Sequence, residues 1–351
     1  MEEEAVPQAD ADLTPAELLD SDPRAMTDVR NFEDRPFTAA MALDAGISRG
    51  TLQRLKASGQ VRSPLCRVYV AASVPDSLDL RARAAALVLP PHVVVADRGA
   101  AWLHGVDILD FAELDLVPDL DAVSTNGHGR TRRQGIFGGK RDLEDGEVMT
   151  LPSGVLVTTP VRTACDIACL LGRLRAIATL DEFRRKHQLS LQDLDVMSRR
   201  FRGRRGVIQL RELIPLSTDR AESQPESWTR LLIRDQGLPV PEPQVELLVP
   251  GWGAVRMENA YRHLRIAVEY DGVDNHTTDS DRERDDGRRC ALHADDWEIL
   301  VLRRGDFSPD RRREWLDELG ALIADRSPDR PGKRKYSRGP DHPSYRWRRG
   351  R

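Results

Sequence analysis

The stretch RIAVEYDGVDNH, residues 265 to 276, limits the folding options most, because an apolar run ends there in two acids. In an extended strand, side chains alternate between faces, so Glu269 and Asp271 share one face while Val268 and Tyr270 share the other. Carboxylates at the mouth of a buried strand are costly to desolvate unless a cation or a proton meets them. The order of elements around that strand narrows the choice further. A helix capped by Ser223 or Ser227 and carrying Trp228, Leu231 and Leu232 comes first, ended by Gly237 and Pro239. PQVELLVPG and AVRMENAYR then read as strands leading to LRIAVEYDG. A charged helix over DSDRERDDGRRCALHADD, a strand WEILVLRR and a helix from Ser308, with Pro309 in its first turn, complete the segment. Helix, three strands, helix, strand, helix is an α/β pattern.

Pairing of the second and third strands sets Glu258 beside Glu269, with Glu226 on the opening helix. Oxygen donors of this kind suit Mg²⁺, or Mn²⁺ in its place. Such an ion orients water and stabilises charge on a phosphodiester. His276 is a candidate general base or substrate contact, since its ordinary pKa lies near neutrality. The competing reading makes Glu258 a solvated turn residue and gives Glu269 and Asp271 to nearby arginines.

At 351 residues the chain reads as two or three domains. Thr38 to Ala45 forms a short helix stopped by Gly46, and Ser48 caps a second helix running through Leu52 and Leu55 to Gly59. QVRSPLCRVYVA alternates like a two-stranded wing, which gives the order of a winged helix-turn-helix. On its second helix Arg49, Thr51, Gln53 and Arg54 are placed to reach base edges or phosphates, and Arg62 and Arg67 on the wing to reach the DNA backbone. The partition is an acidic, disordered lead over 1–30, the winged module over 31–74 and a mixed α/β region over 75–215. An α/β domain over 216–326 and a disordered basic tail over 327–351 complete the chain. The fold class is α+β and multidomain. In the middle, SLDLRARAAALVL and PVRTACDIACLLGRLRAIATLDEFRRKH read as helical, and AELDLVP and GVLVTTP as strands.

With 53 basic and 57 acidic residues the net charge is -4, so the global balance argues for no polyanion partner. Cys66, Cys165, Cys169 and Cys290 form no C-x-x-C pair and have no His at zinc-finger spacing. They are expected to be reduced thiols in a cytoplasmic protein without a signal segment. No apolar run reaches membrane length, the best being broken by Pro90 and Pro91. Trp102 and His104 read as core packing, RRFRGRRG as a solvated turn, and Asp166 as a partner of a helix start or an arginine with no second acid nearby.

RMENAYRHLRIAVEYDG followed by RERDDGRRCALHADDWEILVLRRGDF resembles the very-short-patch-repair-like endonuclease domains of the PD-(D/E)XK superfamily, also called domain-of-unknown-function family 559. The resemblance spans about 220 to 325 and implies a restriction-endonuclease-like, Mg²⁺-dependent nuclease domain. Glu258 takes its first acidic position, where many relatives carry Asp, and Glu269 the second. Asp271 stands where the superfamily name expects Lys, so positive charge toward DNA passes to the metal or to Arg284, Arg288 or Arg289. The front end, FTAAMALDAGISRGTLQRLKASGQVRSPLCRVYVAA with AAWLHGVDI and TTPVRTACDIA, resembles the AbiEi-type antitoxin and transcriptional-regulator module over roughly 32–170. Together they imply an endonuclease-like protein docked on DNA by its winged helix. The alternative is a non-catalytic AbiEi-type regulator with a degenerate nuclease domain, a cognate toxin and a homodimeric state as possible associations.

Overall fold

The computed structural model describes residues 32, 34–106, 108, 119–125, 127–132, 134–272 and 279–327, with backbone alone over 279–285. Contacts divide the chain into two units, one ending at Asp219 and the other beginning at Arg220. The lead over 1–30, the tail from 328, His276, the side chain of Arg284 and the AELDLVP segment lie outside the described residues.

The first unit opens with β1 (Phe37–Thr38) and α1 (Ala39–Asp44), capped by the Thr38 hydroxyl, which accepts from Met41 N–H. After the turn at Gly46, Ser48 caps α2 (Arg49–Ala57) by accepting from Thr51 N–H at 3.1 Å. Leu52 and Leu55 lie on one face of α2 and are buried with Phe37, Ala42, Ile47 and Val61. Strands β2 (Val61–Leu65) and β3 (Val68–Ala71) pair antiparallel, with β1 on the far side of β3. Leu65 and Val68 also enter a second core with Ala84, Ala85, Val88, Leu103 and Val157. The turn between β2 and β3 abuts Gly135, where any side chain would collide with Cys66. Residues 37–71 therefore share their interior with the sheet-and-helix region that begins at Leu78.

That region starts with α3 (Leu78–Ala86) and builds a five-stranded sheet, in spatial order β6-β5-β4-β8-β7. Its strands are β4 (Val93–Val95), β5 (Leu120–Ser124), β6 (Ile136–Lys140), β7 (Val148–Thr150) and β8 (Leu156–Thr158). Helix α4 (Asp97–Leu103) comes after β4, and Gly99 approaches the Asp121 backbone so closely that a Cβ would lie 2.8 Å from its carbonyl oxygen. Four helices succeed the sheet: α5 (Pro160–Leu170), α6 (Arg173–His187), α7 (Leu191–Ser198) and α8 (Val207–Leu213). Pro160 at the first turn of α5 suits a position whose N–H has no helical partner.

The interior of this region is ionic as well as apolar. Arg162 on α5 is wholly buried; its Nε lies 2.8 Å from Asp166 Oδ2 and its Nη1 2.8 Å from Glu147 Oε2. Arg141 joins Asp166 to Asp97 with bonds of 3.0 and 2.8 Å, and Arg200 reaches Glu147 at 3.1 Å. The guanidinium groups of Arg162 and Arg204 lie 4.8 and 5.0 Å from the Phe201 ring centroid. Asp166 thus has arginine partners as expected, but acids from distant segments join it, contrary to the reading that none stood near. His104 is buried, and its Nε2–H donates to the Thr158 carbonyl at 2.7 Å. Burial lowers its pKa to about 4, against the bond to Thr158 and with help from His187, so it packs as a neutral ring. Cys66, Cys165, Cys169 and Cys290 are free thiols, and among the described residues no helix is long and apolar enough to cross a membrane.

In the second unit, α9 (Gln224–Asp235) is capped by Ser223 and precedes β9 (Glu242–Val249), β10 (Gly253–Tyr261) and β11 (Ile266–Tyr270). Helix α10 (Asp279–Ala294) then carries the chain to β12 (Glu298–Leu302), and α11 (Pro309–Arg326) ends the unit. The sheet order is β12-β11-β10-β9, antiparallel except for β11 and β12, which are parallel as a helical crossover requires.

Replacing Arg162 by Ala takes a fully buried cation from Asp166 and Glu147 and leaves them to the more exposed Arg141, Arg204 and Arg200. The expected loss is about 3 kcal/mol of stability, the lower end for breaking a buried pair because other arginines remain, read by chemical denaturation followed at the first unit's own transition. A change below about 0.5 kcal/mol would remove the ionic interior from any structural role.

Candidate functional site

Strand pairing in the second unit delivers the acids to one place. Asn259 pairs with Val268, so the next positions along, Glu258 and Glu269, come side by side where the β10/β11 ladder ends. Glu226, Glu258, Glu269 and Asp271 line a cavity of about 340 Å³, together with Glu222, Gln244, Arg256, Tyr270, Arg288, Arg289 and Val301. Sequence reasoning omitted Gln244 and Arg256, which no local pattern ties to the acids.

Each carboxylate has a partner inside the fold. Glu226 sits in the first turn of α9, where the helix dipole favours negative charge, and is buried. Its Oε2 accepts from Glu222 N–H at 3.0 Å and from Gln244 Nε2 at 2.7 Å. Glu258 Oε2 accepts from Tyr270 N–H at 2.7 Å. Glu269 takes both terminal nitrogens of Arg288 on α10, at 3.0 and 2.5 Å. Asp271 is more loosely held, 3.9 Å from Arg289 and 3.8 Å from Arg303. The competing reading for Glu269 and Asp271, pairing with arginines, thus describes their placement, whereas Glu258 is a lining residue rather than a solvated turn residue.

Burial pushes the Glu258 pKa up to about 7; the bond from Tyr270 N–H opposes this, and Glu226 and Glu269 reinforce it. The fit to a divalent ion is poor in this arrangement. Both Glu269 oxygens face a guanidinium, and among the described residues no group of three or more His, Cys, Asp or Glu side chains is disposed to hold a metal. Mg²⁺ prefers near-octahedral oxygen geometry, which a bidentate arginine on the central carboxylate denies it.

In the first unit, Arg49, Gln53 and Arg54 are exposed along α2, opposite buried Leu52 and Leu55. Lys56 is exposed too and stands two helical turns beyond Arg49, a spacing legible in the sequence but overlooked. Thr51 is half-buried and bonds to Ser48, and Arg54 donates to Thr51 at 3.3 Å. The arginines of the β2–β3 hairpin are engaged internally: Arg62 donates to the Val74 carbonyl at 2.8 Å, and Arg67, in the left-handed region at φ 63°, donates to Gln134. Arg288, expected to face DNA, is committed to Glu269 and to the Arg256 carbonyl.

The raised Glu258 pKa has a definite sign. Between about pH 4.5 and 7 the folded chain holds a proton that the unfolded chain has lost. The stability this confers is complete below the unfolded pKa and is lost as pH rises through the folded one. Glu258→Gln should flatten that dependence and stabilise the second unit at pH 8 by on the order of 2 kcal/mol, the full shift being reduced because the group is part exposed. Parallel denaturant midpoints for mutant and wild type across this range would contradict the assignment.

Residues 93–216 match the AbiEi antitoxin C-terminal domain, a span that begins later and runs further than the 32–170 resemblance and stops before the second unit. Two Mycobacterium tuberculosis proteins are 32% identical to the chain over 263 residues, 74% of this chain and 91% of each relative. They are Uncharacterized protein MT2308, from strain CDC 1551 / Oshkosh, and Uncharacterized protein Rv2248, from strain ATCC 25618 / H37Rv. The chain belongs to the family of these mycobacterial proteins, and its sheet-and-helix region over 93–216 is similar to the AbiEi antitoxin C-terminal domain.

Proposed function

We propose that the chain is a DNA-binding regulator of AbiEi antitoxin type, in which residues 31–74 act as a winged helix-turn-helix and the second unit serves without turnover. The observation that carries this reading is α2: a capped helix anchored by Leu52 and Leu55, presenting Arg49, Gln53, Arg54 and Lys56 to solvent ahead of an AbiEi antitoxin domain. Arginine and glutamine on an exposed helix have the donors that base edges and phosphates accept. With Arg62 and Arg67 engaged in the fold, contact falls to the helix rather than to the wing. The antitoxin family supports a cognate toxin as a partner, and dimeric binding fits paired half-sites on DNA. DNA as partner accords with a cytoplasmic location.

The test is fluorescence anisotropy on a duplex from upstream of the chain's own gene, for wild type and the triple variant Arg49→Ala, Arg54→Ala, Lys56→Ala. These side chains are exposed, so the fold is expected to survive, as circular dichroism would verify. Affinity should fall by about tenfold or more, and the slope of log K against log salt should shrink by about 2 to 3. Equal affinity and slope would remove α2 from the interface, and absence of binding by the wild type would remove the reading.

A second reading, an Mg²⁺- or Mn²⁺-dependent endonuclease, is favoured by one observation, the convergence of Glu226, Glu258, Glu269 and Asp271 on a single cavity. It needs Glu269 released from Arg288, and assigns His276 to proton transfer. Plasmid nicking by wild type but not by Glu269→Ala would establish it; intact plasmid with both would discard it.

A further inference from the structure

The misfit between the acidic cavity and a metal ion has a specific cause. Arg288 enters the cavity from α10 with its side chain 23% exposed and Glu269 12% exposed, so their bidentate pair is largely shielded from water. Breaking a shielded arginine–carboxylate fork costs more than breaking a surface ion pair, because the partner left behind carries unmatched charge in a poor solvent. The guanidinium is also tied down from the side, donating to the Arg256 carbonyl at 3.3 Å, while Arg256 itself forks onto Glu222 at 2.7 and 2.8 Å. Helix α10 is seated next to this point: Gly287 lies so close to the Trp252 ring that a Cβ there would come within 2.8 Å of it. Arg288 is therefore delivered to Glu269 by a packed helix rather than by a loose side chain.

We propose that Arg288 is the built-in cation of this cavity, and that it bars divalent ions by occupying both oxygens of Glu269. A divalent ion needs the same two lone-pair directions that the guanidinium fork uses, so the two are mutually exclusive on Glu269. Removing the guanidinium leaves Glu269 beside Glu258 and Glu226 with reduced compensation, which favours any cation able to enter. Arg288 is a positioning residue here, and this assignment is independent of whether α2 binds DNA.

The experiment is calorimetric titration of MnCl₂ and MgCl₂ into the full chain, with thermal unfolding in the presence and absence of each salt. Wild type, Arg288→Ala, Arg288→Gln and the double variant Arg288→Ala, Glu269→Ala are compared. Wild type should give no saturable heat and an unchanged melting temperature. Arg288→Ala should melt lower than wild type without the ion, bind Mn²⁺ at least about tenfold more tightly, and regain melting temperature as Mn²⁺ is added. The double variant should lose that gain. Arg288→Gln keeps much of the side-chain volume without the charge and stands in should the alanine variant fail to fold. Saturable Mn²⁺ binding by wild type equal to that of the variants, or folded variants as indifferent to the ion as wild type, overturns the proposal.

Discussion

A charge taken out of water must find its counter-charge within the fold, and both units are organised around that requirement. Arg162 meets it in the first unit, where a wholly buried guanidinium is divided between Asp166 and Glu147. The network spreads from there to Asp97 through Arg141 and to Glu144 through Arg200, so it ties α4, α5, the β6–β7 connection and the turn after α7 together. Such a network contributes less to net stability than apolar packing of equal volume would, but it penalises any arrangement that separates its members. The consequence is a domain whose sheet and helices have one register, and onto which the first module is packed through Leu65, Val68 and the turn at Cys66.

The second unit solves the same problem differently. Its fold brings five carboxylates to one cavity, and arginines from α10 and β10 meet Glu269 and Glu222 among them. Compensation is incomplete at Glu258, whose raised pKa records burial beside two other acids. An acidic cavity of this composition is compatible with cation chemistry in principle, yet the donor geometry is that of an ion-pair cluster. This is why the functional reading rests on α2 and on the antitoxin domain rather than on the acids.

Much of the local structure was legible because its signals are local. Thr38, Ser48 and Ser223 announce helix starts by side chains that accept from N–H groups three residues on, and Leu52 with Leu55 marks the inner face of α2. The proximity of Glu258 to Glu269 was legible as well, since antiparallel pairing across a short turn leaves few registers. The ionic interior was not: Arg141 and Asp97 are 44 residues apart, and Arg162 and Glu147 come from different elements with no shared periodicity. The fate of the arginines was equally hidden. Arg288 and Arg289 are neighbours on one helix, and only the rotation at which α10 packs decides which of them reaches Glu269 and which lies 3.9 Å from Asp271. On the β2–β3 hairpin, Arg62 and Arg67 look free in the sequence because their acceptors, Val74 and Gln134, are supplied by tertiary packing.

The central claim, that this chain acts by holding DNA through the exposed face of α2, is tested most directly by hydroxyl-radical footprinting of the full chain on the DNA upstream of its own gene. The account predicts protection of discrete backbone positions on one face of the duplex, spaced by a helical turn where two copies bind and weakened as salt rises. Uniform cleavage across the fragment at every protein concentration, with the chain folded, would contradict it.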